Sequence, residues 1–298
     1  MSQLPPAPFG RVLTAMVTPF REDGSLDVDG AAALAAHLVD AGNDGLVISG
    51  TTGESPTTSD GEKDRLLRAV LDAVGGRARV LAGVGTSDTA HSTELARAAE
   101  KAGATGLLAV TPYYSRPPQE GLLAHFRALA DATDLPLMLY DIPVRTGVAL
   151  ETGTLLRLAE HARIVALKDA KRDLAATAAL RAGCDLAVYS GDDVLTLPLL
   201  SLGAVGVVSV IGHLLAGQVR RMVEAFDAGE SAAAAAVHSG LVPAYEGFFR
   251  TQGVIMVKAG LRRAGLPGGP VRPPLVDATA EQEALLVEDL RAAGIVLA

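Results

Sequence analysis

The chain has 298 residues, 49% hydrophobic but only 4% aromatic, and 26 Lys plus Arg against 34 Asp plus Glu leave a net charge of −8. That length suits one large α/β barrel or two ordinary domains, and the acidic balance excludes a partner held mainly by phosphate neutralisation, so no nucleic acid is expected. A single cysteine, Cys184, excludes an internal disulfide framework and a cysteine-built metal site and suits a reducing compartment.

The opening MSQLPPAPFGR has neither a basic nor an apolar leader region, so a cytoplasmic location is expected. Apolar runs then recur at 12–17, 45–50, 79–85, 106–111, 136–141, 163–169, 186–191 and 206–210. Helix-period stretches at 28–41, 60–74, 89–102, 120–130 and 152–160 lie between them, with Asp, Ser or Thr near many starts and Gly after the ends at Ala41 and Ala102. Strand starts fall roughly 20 to 35 residues apart, the repeat a crossover helix between parallel strands requires. Eight units predict an α/β fold of the (β/α)8 TIM barrel class, typically ~250 residues. A doubly wound open sheet is the alternative, but its best fingerprint, GVGTSD at 83–88, ends in Asp where the third Gly should stand. Segment 194–212 carries no charge over 19 residues. Its Pro, Gly and Ser content and β-branched end predict a buried helix followed by a buried strand, not a membrane span. Helical stretches at 214–228, 231–249, 255–264 and 279–293, broken by the Pro/Gly-rich 266–275, predict a C-terminal extension; the alanine run 232–236 reads as helix. The division expected is a barrel over 1–228 and a helical domain over 229–298.

In such a barrel the active site lies at the C-terminal ends of the strands, and the unusual residues follow the runs in order: GTTGES (50–55), TPYYSRPP (111–118), YDIPVRTG (140–147), Lys168-Asp169 and SGDD (190–193). Four of the five tyrosines (Tyr113, Tyr114, Tyr140, Tyr189) lie at or just past strand ends, which points away from core filling. Lys168 follows Ile164-Val165-Ala166-Leu167, where burial would lower its pKa and make the amine a carbonyl nucleophile. Residue type alone leaves open a lysine that snorkels outward or pairs with Asp169, and Lys258 in VIMVKAGL competes for the role. Thr51 and Thr52 in their glycine-flanked loop could receive a small carboxylate, or Glu54 could belong to an ordinary capping turn. Tyr140 could relay protons and Arg145 could clamp a carboxylate, or each could be a packed aromatic and a solvated charge. The six histidines show no metal spacing, so no metal is expected, and neither a serine elbow nor a P-loop is present. Cys184, after a helix end, reads as structural.

These strings, in this order, closely resemble the dihydrodipicolinate synthase family of class I pyruvate-dependent aldolases, which also includes N-acetylneuraminate lyase; the likeness covers residues 10–265. The resemblance implies a cofactor-free lyase that condenses pyruvate with L-aspartate 4-semialdehyde in the diaminopimelate route to lysine, assembled as a homotetramer of two dimers. It implies that Lys168 forms the Schiff base, that Thr52 and the backbone near Val208 hold the pyruvate, and that Tyr140 shuttles protons through Thr51 to Tyr114 of a neighbouring subunit. Arg145 would take the carboxylate of the aldehyde substrate and Gly191 would border the pocket. Two departures from the family pattern, Gly212-His213 in place of an Asn and Thr251-Gln252-Gly253-Val254 in place of a Pro/Asn-rich segment, are expected to fall outside the chemistry. At the positions of the family's inhibitory lysine site the chain retains Ser55 and Tyr113 but carries Asp60, Lys63 and His91, so weak or absent inhibition by lysine is expected. Two other readings stand beside this one: a different pyruvate-dependent aldolase acting on a sugar acid or an aromatic aldehyde, and a catalytically silent small-acid sensor. The set Lys168, Tyr140, Thr51 and Tyr114 argues against silence.

Overall fold

The computed structural model describes residues 6–295, so part of the opening segment read above and residues 296–298 of the extension lie outside it. Eight parallel strands close into a barrel in sequence order, β8 pairing back to β1. They are β1 (Val12–Ala15), β2 (Gly45–Ile48), β3 (Arg79–Gly83), β4 (Gly106–Val110), β5 (Leu137–Asp141), β6 (Ile164–Asp169), β7 (Ala187–Ser190) and β8 (Gly206–Ser209), each inside its predicted run. Side chains alternate across each strand. One set, including Leu13, Val47, Leu81, Leu108, Met138, Ala166 and Val208, fills the barrel. The other, including Val12, Leu46, Val80, Leu107, Leu139, Leu167 and Val207, packs under the helices. Every strand is therefore apolar on both faces, which is why the sequence shows runs rather than alternation.

The outer layer comprises α1 (Val28–Asp40), α2 (Asp60–Val74), α3 (Thr89–Ala102), α4 (Gln119–Asp131), the short α5 (Pro143–Thr146), α6 (Thr152–Ala159), α7 (Leu174–Gly183), α8 (Thr196–Ser201) and α9 (Gly212–Asp227). Side chains of Asp27, Ser59, Asp88 and Asp173 cap α1, α2, α3 and α7 by accepting backbone N–H bonds, satisfying donors the first turn leaves open. Segment 194–212 contains α8 and β8, and no helix among the described residues is long and apolar enough to cross a membrane.

Beyond the barrel follow α10 (Ser231–Gly240), α11 (Val242–Phe248), α12 (Gly253–Arg263) and α13 (Ala280–Ala292). The single helix expected over 231–249 is two. Pro243 stands in the first turn of α11 and offers no N–H to the preceding turn, so the α10 ladder ends before it.

Tyr189 corrects the reading of the tyrosines. It points into the barrel, is fully buried, and its hydroxyl accepts a bond from Phe9 N at 3.2 Å, so it fills the core near the chain's entry into the barrel.

Candidate active site

Strand register sets the centre of the site. Tyr140 lies directly opposite Lys168 in the β5–β6 ladder, and both share the inward parity of Met138 and Ala166. Lys168 Nζ consequently sits 4.2 Å from the centre of the Tyr140 ring. Asp141 and Asp169, one residue on, point outward: Asp169 accepts from Thr177 Oγ1 at 2.6 Å and from Lys171 N at 3.0 Å. The pairing of Lys168 with Asp169 that residue type left open is therefore absent. Lys168 is 4% exposed and has no hydrogen-bond or ion-pair partner among the described residues. Burial holds its amine down to about 8, with Asp193 pulling upward and Arg145 further downward.

Lys258, the competing candidate, is also brought down to about 8 by burial, so desolvation does not separate the two. Their partners do. Lys258 Nζ lies 2.6 Å from Glu54 Oε1, donates to Pro270 O at 2.7 Å and sits 4.3 Å from the Phe20 ring, fully buried. It is consumed by structure, whereas Lys168 opens on a cavity of about 60 Å3 with Thr51, Thr52, Tyr140, Arg145, Gly191 and Gln252 in its wall. Just past the end of β8 that wall takes in Val210; Val208, within β8, is buried one pleat deeper in the barrel.

The GTTGES loop is not a capping turn. Ser49 and Glu54 both hold left-handed backbone, φ 53° and 54°, a costly conformation for non-glycine residues that concentrates at functional sites. Glu54 turns inward to Lys258 and accepts from Arg272 N at 2.8 Å; the capping box of α2 is formed by Ser59 and Glu62 instead. The loop's distortion leaves Thr51 and Thr52 at the cavity.

Burial pushes Tyr140 up to about 12, against the pull of Arg145 and of its bond with Thr51. It keeps its proton at neutral pH and so acts as a hydroxyl donor or relay, not as a standing phenolate base. Gly191 leaves little spare room: a Cβ there would lie 3.0 Å from Lys168 Cγ and from Ala170 Cβ, so one of those side chains would have to give way. Arg145, on α5, is solvent-exposed, and its Nη2 donates to Gln252 Oε1 at 2.7 Å. Tyr114 stands apart from this cluster. It is 94% exposed with φ 72° and lines only the wider mouth, a cavity of about 470 Å3 above Tyr140 and Thr51.

Two residues escaped sequence reasoning. Gln252 belongs to the segment expected to lie outside the chemistry, and the structure puts it in the cavity wall against Arg145. Asp193, the last residue of SGDD, accepts from Ser209 Oγ, from Val210 N at 2.8 Å and from Ile211 N at 3.2 Å, and so ties the segment after β7 to the end of β8, close enough for its charge to act on Lys168. Among the described residues no three His, Cys, Asp or Glu side chains gather as a metal site.

A closed (β/α)8 barrel with one unpaired lysine buried at its mouth defines the class, a lyase of the Schiff-base aldolase type. The sequence profile of the dihydrodipicolinate synthetase family matches residues 8–293. A 4-hydroxy-tetrahydrodipicolinate synthase of Acidothermus cellulolyticus is 69% identical over 293 residues, 98% of this chain and 95% of that one. 4-Hydroxy-tetrahydrodipicolinate synthase 2 of Streptomyces coelicolor is 62% identical over 98% of each. Among solved structures, the dihydrodipicolinate synthase of Cyanidioschyzon merolae with lysine bound superposes with a TM-score of 0.95 at 46% identity, covering 97% of this chain and 99% of that one. The chain belongs to the dihydrodipicolinate synthetase family.

Proposed function

We propose that this chain condenses pyruvate with L-aspartate 4-semialdehyde, the 4-hydroxy-tetrahydrodipicolinate synthase reaction of diaminopimelate and lysine biosynthesis, with Lys168 as the nucleophile. The observation that carries this reading is the state of Lys168: buried, unpaired, its amine held near 8, and open to a cavity that also holds two threonine hydroxyls and a tyrosine. The neutral amine adds to the pyruvate carbonyl carbon, and loss of water leaves an iminium. Loss of a methyl proton turns the iminium into an enamine, whose methyl carbon attacks the aldehyde carbon while the new alkoxide takes up a proton. The amine of the second substrate then displaces Lys168 and closes the ring, so one water is released overall. Tyr140 and Thr51 supply the hydroxyl chain for these proton movements, completed by Tyr114 from a second subunit. Thr52 and the backbone around Val208 hold pyruvate, Gly191 leaves room beside Lys168, and Arg145 binds the carboxylate of the aldehyde substrate. No cofactor is called for, since amine, carbonyl and hydroxyl groups account for every bond change.

The exposure of Tyr114 supports a contact with a second subunit, as in the homotetramer of two dimers that the family resemblance implies, and the single cysteine supports a cytoplasmic setting. A division at 228/229 assigns the described residues before it to the catalytic barrel and those after it to a helical domain that contributes Gln252 to the site. Lys63 Nζ donates to Thr58 O at 2.5 Å, and the half-buried side chain lines a small cavity with Ser49 and Gly83, so a cation occupies one of the positions of the family's inhibitory lysine site; that disfavours L-lysine as an inhibitor. The assay that tests the reaction is pyruvate-dependent consumption of aspartate semialdehyde, run beside sugar-acid and aromatic aldehydes. Preference for the semialdehyde is expected; preference for another aldehyde would make the chain a different aldolase, and turnover of none would make it a small-acid sensor.

A further inference from the structure

Among the described residues Arg145 makes no salt bridge, although carboxylates are abundant in the chain. Its side-chain partner is a neutral amide, Gln252 Oε1, 107 residues away in sequence. Gln252 holds the N-cap position of α12, yet its side chain caps nothing there; its own carbonyl accepts from Ile255 N while the amide turns toward Arg145. Both residues line the cavity around Lys168 and the wider mouth above it.

The geometry points to Gln252 as a positioning residue that aims the Arg145 guanidinium at the carboxylate of the aldehyde substrate and leaves its charge uncancelled. A guanidinium offers five donors, so one bond to an amide leaves enough of the fork to grip a carboxylate with two parallel bonds. A carboxylate at position 252 would hold the same arginine equally well but would occupy the charge the substrate needs. No side chain there would leave a long, exposed arginine to be ordered by the substrate alone, at a cost in rotamer freedom. Because α5 is a single short turn, α12 of the C-terminal extension supplies the restraint that α5 cannot, and the segment that departs from the family pattern becomes part of substrate selection.

This inference rests on the role of Arg145 proposed above, and the test separates the two. Gln252→Ala, Gln252→Glu, Arg145→Ala and the double variant Arg145→Ala/Gln252→Ala are compared for the KM of each substrate and for the pyruvate adduct trapped on Lys168 by borohydride. Gln252→Ala is expected to raise the KM for aspartate semialdehyde about tenfold, the value of one charge-assisted bond, with pyruvate KM within about twofold and adduct formation unchanged. Gln252→Glu, which preserves size and shape and so is not a packing change, should raise it further. In the Arg145→Ala background Gln252→Ala should change nothing more, because there is no guanidinium left to aim. Equal shifts in both KM values, full additivity with Arg145→Ala, or wild-type behaviour of Gln252→Glu would overturn the inference. An Arg145→Ala enzyme with unchanged semialdehyde KM would instead overturn the role of Arg145 itself.

Discussion

Lys168 and Lys258 are both buried with amines held to about the same value, and the difference in their partners, none for Lys168 and Glu54 for Lys258, is what supports Lys168 as the proposed nucleophile. Since the amine must be neutral to attack, kcat/KM for pyruvate should rise with pH and level off above about 8; a profile still climbing toward 10.5, the ordinary value for lysine, would mean that the amine is solvated. Gly191 gives a second prediction at this scale. An added Cβ would press on Lys168 Cγ at 3.0 Å with the Ala170 side chain also in the way, so Gly191→Ala should fold normally and lose activity by about a hundredfold through misplacement of the amine, read from the rate of borohydride trapping. The burial of Lys168 was legible in its sequence because four apolar residues precede it. Gln252 was not, because what makes it functional is a contact across 107 residues, and only the fold brings α12 to α5.

At the scale of elements, the strands were legible because each is apolar on both faces and each is followed by a capped helix, so run and period changed together. The split between α10 and α11 was signalled by Pro243, but the alanine run before it has such strong helix propensity that the two stretches read as one. The tethering of the GTTGES loop was not legible at all. Glu54 pairs with Lys258 from α12, and Arg272 donates to Gly24 O and Thr57 O and makes two bonds to Glu62, so residues far apart in sequence lock the loop that carries Thr51 and Thr52. Lys258→Met should leave Glu54 as an uncompensated buried charge and cost about 3–5 kcal/mol in thermal or denaturant unfolding, and Glu54→Gln in the same chain should recover part of that loss. His213 gives a pH prediction. Its Nε2 accepts from Val17 N at 3.0 Å, its Nδ1 donates to Val210 O at 2.8 Å, and burial lowers it to about 4 from 6.5. Between those values the unfolded chain binds the extra proton, so stability contributed by neutral His213 is complete above 6.5 and is lost as pH falls toward 4. Buried Asp141, raised to about 6 from 3.8, works in the opposite sense, so the contribution of His213 is isolated by comparison: His213→Asn should lose less Tm between pH 7 and pH 5 than the wild type.

For the whole molecule, the chain alone brings Thr51, Thr52, Tyr140, Arg145, Gly191 and Gln252 around Lys168, while Tyr114 stands outside that cavity. Tyr114 is presented to solvent on a left-handed turn, and Val144, a second large apolar side chain, is 85% exposed, a pattern that fits a partner surface better than a finished one. Mixing inactive Lys168→Ala and Tyr114→Phe subunits under exchange conditions should restore activity, because one site of each mixed dimer then has both groups; no recovery would place Tyr114 in its own subunit's reaction or in none. The lysine that departs from the family pattern at position 63 predicts weak or absent inhibition by sub-millimolar L-lysine, and clear inhibition would contradict it. The claim on which the rest depends is that Lys168 bonds covalently to pyruvate. Borohydride reduction of the enzyme with pyruvate, followed by peptide mass analysis, tests it directly: the account predicts one adduct, on the peptide carrying Lys168 and abolished by Lys168→Ala, and it is contradicted by an adduct on Lys258 or by none.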